Sequence, residues 1–146
     1  MVQINLGNEA KEEIKRELIA DDSYEAKIVE ISDIFESPMY EDKTKTEEKL
    51  SVQFDINGKK IPLFMKAVIS SGGGKYTPSK LHTFLSKAQL IDEVSKHTNI
   101  MEKNEEFVKY LKSKLMGKTF KFTTRTVNEG KDTAYSVVKE VIKLVG

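Results

Sequence analysis

The chain has 146 residues, enough for one domain with a real core and too few for two large ones, and its formal net charge of +1 conceals an uneven distribution. It contains no cysteine, which excludes disulfides, thiolate metal sites and a thiol nucleophile, and its two histidines, His82 and His97, are too few for a histidine-rich metal cluster. No run of eighteen apolar residues exists and the first residues lack the basic start and apolar core of a signal peptide, so a soluble cytoplasmic protein without membrane contact is expected.

Residues 8–20 (NEAKEEIKRELIA) predict a helix thinly anchored by Ile14 and Leu18, and residues 1–22 read as an acidic helical extension to a domain spanning 23–146. Residues 24–32 then predict a strand, with Tyr24, Ala26 and Ile28 on one side and Val29 and Ile31 on the other, extended by Ile34 and Phe35. Residues 36–48 (ESPMYEDKTKTEE) are polar, carry a Ser-Pro turn signal and lack periodicity, which predicts a long mobile connection with Met39 and Tyr40 as its large apolar side chains.

Residues 49–67 (KLSVQFDINGKKIPLFMKA) predict a β-hairpin. Leu50, Val52, Phe54 and Ile56 alternate with Ser51, Gln53 and Asp55, the period of a strand with one buried face. Asn57-Gly58 tolerates the positive φ angles of a type I′ turn, which sets Phe54 opposite Ile61, Val52 opposite Leu63 and Leu50 opposite Met65. The other face then carries Lys60, Pro62, Phe64 and Lys66, an aromatic ring among cations on a side expected to be wet; the rival assignment for Phe64 is a place in the core.

The glycine-rich stretch 70–75 (SSGGGK) is not a nucleotide-binding P-loop, because Tyr76 rather than Ser or Thr follows Lys75 and no helix starts there. It predicts a flexible turn whose backbone N–H groups can meet a phosphate. Thr77-Pro78 predicts a helix start, with Leu81, Phe84, Leu85 and Ala88 as the buried stripe and His82 on the solvent side. Residues 91–99 are ambiguous; Asn104 is the expected cap of a helix anchored by Val108, Leu111 and Leu115 and stopped at Gly117. Residues 118–127 (KTFKFTTRTV) predict a strand with Phe120 and Phe122 on one face and Thr119, Lys121, Thr123 and Arg125 on the other, followed by a turn at 128–131 and a last strand near 133–145.

Charge separates along the chain. Residues 1–48 hold fourteen acids and six bases, whereas 56–91 hold no acid but carry Lys59, Lys60, Lys66, Lys75, Lys80 and Lys87. A basic stretch of this kind makes a local positive field in a near-neutral protein, and phosphates respond to the local field.

The order of strand, loop, hairpin, helices, strand, turn and strand is that of a five-stranded OB barrel with a helical insertion between strands three and four, a mostly β fold. The segments SYEAKIVEI, KLSVQFDINGK, SKLHTFLSKA, LMGKTFKFTTRTV and GKDTAYSVVKEVIKL, across residues 23–144, resemble the prokaryotic and bacteriophage OB-fold single-stranded-DNA-binding proteins. That resemblance implies a binding surface on the outer face of the second and third strands and the loops after the first and fourth, which here points to Phe64, Lys60, Lys66, Tyr40 and Arg125. Two departures are the lack of any Trp and an end in KLVG rather than an acidic tail. Cations beside flat apolar rings are also what single strands need, and Lys75, Tyr76 and Lys121 complete the candidate set. The expected ligand is single-stranded DNA, with RNA as the alternative, and neither cofactor nor metal. No acidic pair has the spacing of a catalytic site, so no enzymatic activity is expected. The rival function is a protein-interaction subunit that uses the acidic N-terminal segment as its contact.

Overall fold

A computed structural model describes residues 17–96 and 103–146. Within them the order is β1 (Ser23–Ile31), β2 (Phe35–Pro38), β3 (Thr46–Ile56), β4 (Lys59–Lys66), α1 (Lys80–Lys87), α2 (Ile91–Lys96), α3 (Asn104–Leu115), β5 (Thr119–Val127) and β6 (Tyr135–Leu144). The protein is mostly β. All six strands join one open antiparallel sheet, in which β1 lies between β3 and β5, β6 borders β5, and β3 carries β4 along one edge and β1 followed by β2 along the other. The predicted helix at 8–20 lies outside the described residues as far as 16, and residues 17–20 are not helical.

The hairpin forms in the predicted register, with Phe54 opposite Ile61, Val52 opposite Leu63 and Leu50 opposite Met65. Asn57 and Gly58 turn it with φ of 52° and 88°, the left-handed values that a two-residue turn needs to match the strand twist. A β-branched side chain is strained at such a φ, so Gly58→Val is expected to cost about 1–3 kcal/mol of stability in urea unfolding. A variant as stable as the parent would mean that the turn does not depend on this backbone conformation.

Strict alternation fails in β1 and β6, and bulges explain both. Ile28 and Ile31 are both buried although three residues apart, because the pairing with β3 slips at Val29, which turns outward. Val29 and Ile31 therefore do not share a face, as the alternation predicted. In β6 the inward partners of Thr124, Phe122 and Phe120 are Val138, Val141 and Leu144, again three apart, with register shifts that leave Lys139 and Ile142 as the extra residues. The expected single strand through Phe35 is also divided, since Ser32–Ile34 crosses over between β1 and β2; there the Ser32 hydroxyl accepts the Ser51 N–H at 2.9 Å and the Ser32 N–H donates to the Ser51 carbonyl at 2.9 Å.

The predicted mobile connection at 36–48 shrinks to residues 39–45, because its flanks pair as β2 and β3. Asp42 holds the turn: its carboxylate accepts the Thr44 hydroxyl at 2.6 Å and the Thr44 N–H at 3.0 Å, and these bonds keep it below the usual carboxylate range.

Four phenylalanines centre the core. Phe54 lies 4.5 Å from Phe122 and 6.0 Å from Phe120 between ring centroids, and Phe84 of α1 reaches Phe120 at 5.4 Å. Helix α1 packs against β4 and β6, two edge strands of the sheet that approach each other without a ladder. Its cap is Ser79 rather than Thr77, because the Ser79 hydroxyl accepts the His82 N–H at 3.2 Å while its backbone pairs with Ser70. Asn104 is likewise not a cap. It is the first residue of α3, and its side-chain amide donates to Glu48 at 2.6 Å instead. Residues 17–22 lie against the sheet: the Ser136 N–H donates to the Glu17 carbonyl, the Thr124 N–H to that of Asp22, and the Lys59 ammonium to that of Leu18.

Candidate nucleic-acid interface

The outward-facing residues of β3 and β4 build a surface whose rows are given by the pairing. Lys60 stands opposite Asp55, Pro62 opposite Gln53, Phe64 opposite Ser51 and Lys66 opposite Lys49. Phe64 is 42 % exposed, whereas its chain neighbours Leu63 and Met65 are buried, so the alternation of β4 directs this ring to solvent and not into the core. Ser51 beneath it is only 5 % exposed despite facing outward.

Sequence reasoning missed a second ring on the same face. Phe35 of β2 stands opposite Lys49, so Phe35 and Phe64 flank β3 with Lys49 and Ser51 between them. Two strand spacings and a two-residue offset put their Cα atoms about 12 Å apart. The signal available was Asp42-Lys43-Thr44, a turn seed between Pro38 and Thr46, which makes residues 35–49 a hairpin rather than a loop.

Charge on this face is more balanced than the lysine count suggests. Glu47, little exposed, bridges Lys66 at 3.2 Å and Lys49 at 3.6 Å, and Glu30 of β1 meets Lys60 at 3.6 Å. The acids come from residues 1–48, the acidic part of the chain, so the fold lays that charge against the basic hairpin. The Lys60–Glu30 pair, exposed on both sides, is weak and opens readily to a competing anion.

The remaining predicted residues fall into two groups. Tyr40, 90 % exposed, sits in the turn between β2 and β3, past the Glu47 end of the face. Lys75 and Tyr76 lie in the loop that leaves the Lys66 end of β4, with the Lys75 ammonium 5.7 Å from the Tyr76 ring centre. That loop is closed by two rungs, Gly73 with Tyr76 and Ser70 with Ser79, and a side chain at Gly72 would come within 2.8 Å of backbone atoms, so this turn has a defined conformation that glycine alone permits. Lys121 is not part of the face: it pairs with Glu25 of β1 and Lys143 of β6, three strands away from β4. Arg125 pairs with Val137 and stands near Lys80, whose ammonium is held below its ordinary pKa by desolvation and then by the Arg125 charge.

Among the described residues no group of His, Asp or Glu could hold a metal ion, and no helix is long and apolar enough to cross a membrane. Comparison with protein-family models, curated proteins and solved structures finds no match for this chain.

Proposed function

We propose that the protein binds single-stranded nucleic acid, DNA in the first instance, across the outer face of β3 and β4, as a non-catalytic OB-type domain. The observation that carries this is the half-exposed Phe64 ring on a strand face edged by Lys60 and Lys66, with Phe35 beyond β3 as a second ring. Bases released from a duplex stack on such rings at about 1–3 kcal/mol each, without regard to sequence. Two features of the fold support the OB-type arrangement: helices intervene between β4 and β5, and α1 packs where β4 and β6 approach.

The test is a titration of fluorescent oligothymidine at about 50 and 200 mM salt. Saturable binding that weakens as salt rises is expected, since counterions released from the strand drive association. No binding at the lower salt would sink the proposal and leave the protein-interaction subunit as the better account. Glu47→Gln would free both Lys49 and Lys66, so it should bind more tightly and with a salt slope steeper by up to about 1.4, at about 0.7 per new phosphate contact. An unchanged slope would show that these two lysines do not meet phosphates.

A further inference from the structure

Where β4 and β6 approach without pairing, a cleft of about 130 Å³ opens between Leu63 of β4, Thr83 and Phe84 of α1, and Val141 of β6. Two cations line it, Lys80 at the start of α1 and Lys139, the residue extruded by the β6 bulge, and the Arg125 charge acts on Lys80. In contrast to Lys49, Lys60 and Lys66, none of these three makes an ion pair with a described residue, although Glu140 also borders the cleft. Two cations on one cleft, with a third charge acting on Lys80 and none of the three ion-paired to a described residue, make a favourable place for an incoming anion. A lysine matched to a carboxylate must give up that pair to neutralise a phosphate, whereas an unmatched one displaces the strand's condensed counterions without that cost.

We propose that this seam is a phosphate site and that it takes a backbone phosphate of the same single strand whose bases lie on Phe64, with Lys80 and Lys139 as its principal ligands. The proposal rests on the single-strand function proposed above. Geometry supplies the continuity: Leu63, which borders the cleft, directly precedes Phe64 in β4, so a strand leaving the ring over the edge of β4 meets the seam at once. Labour is thereby divided, with stacking on the face of β3 and β4 and most of the salt-dependent attraction at the seam. The Thr83 hydroxyl, on the cleft wall, is placed to donate to a phosphate oxygen.

The Lys80→Gln/Lys139→Gln double variant tests this with two probes. With oligothymidine the salt slope should fall by about 1.4, so that the parent's advantage shrinks about sevenfold between about 50 and 200 mM salt. With pyrophosphate, amide NMR shifts should cluster at residues 80–84 and 138–141 in the parent and vanish in the variant. Both side chains are exposed, so thermal melting of the variant should match the parent. An unchanged slope with intact pyrophosphate shifts would make the seam a site for free phosphate and overturn the strand path. An unchanged slope without shifts would overturn the site itself. If the parent binds no oligothymidine, the single-strand function fails, and the pyrophosphate shifts alone then decide whether the seam takes phosphate.

Discussion

Phe54→Ala is expected to destabilise the protein by about 3–5 kcal/mol, the range for truncating a fully buried Phe ring, and so to remove a large share of the roughly 5–15 kcal/mol that holds a domain of this kind together. Phe54 is wholly buried and touches both Phe122 and Phe120, which makes it the side chain through which the hairpin grips β5. Its loss leaves a cavity between rings contributed by strands that are not neighbours in the sheet, and neither β3 nor β5 can close in without breaking its pairing with β1. Urea unfolding followed by circular dichroism should show the midpoint falling with little change in slope. A loss below about 1 kcal/mol would mean that the aromatic cluster does not organise the core.

Phe64→Ala should behave in the opposite way, losing binding rather than stability. One stacked base costs about 1–3 kcal/mol when its platform is removed, which is roughly 5- to 150-fold in affinity for oligothymidine, and the salt dependence should be nearly unchanged. Lys66→Ala should show the complement, a salt slope lower by about 0.7 with a smaller loss of affinity at low salt, moderated because Glu47 already engages that ammonium. Melting both variants beside the titrations separates the two effects. Unfolding of Phe64→Ala would assign the ring to the core, and parental binding by both folded variants would remove the face of β3 and β4 from the site.

Local chemistry made the centre of this fold legible in the sequence. The alternation from Leu50 to Ile56, the left-handed tolerance of Asn57-Gly58 and the matching alternation after it allow only one register that buries all the apolar partners, and that register is observed. The outward position of Phe64 followed from the same periodicity, as did the inward positions of Phe120, Phe122, Phe84 and Leu111. Helix termini and the polar strand pair were less legible. Thr77-Pro78 has the composition of a cap, yet Ser79 takes the role because its hydroxyl and backbone meet Ser70 across a loop, a contact that propensity does not report. Apart from Phe35, residues 35–38 and 46–49 offer no apolar alternation to betray a strand; only pairing at the edge of β3 makes them one.

Tertiary structure alone decided the electrostatics. A lysine count along the chain treats Lys60, Lys66, Lys80 and Lys139 alike, but folding brings Glu47 and Glu30 to the first two and leaves the others without a described carboxylate partner. Coulomb interactions depend on separation in space, and the bulge that extrudes Lys139 beside the start of α1 arises from pairing between β5 and β6, over distances in sequence that no local pattern spans. The sequence by itself therefore determined which face of the β3–β4 hairpin is apolar and that Phe64 belongs to the opposite one, because burial periodicity is written residue by residue. Which cations remain available to a phosphate was settled only when strands distant in the chain came together.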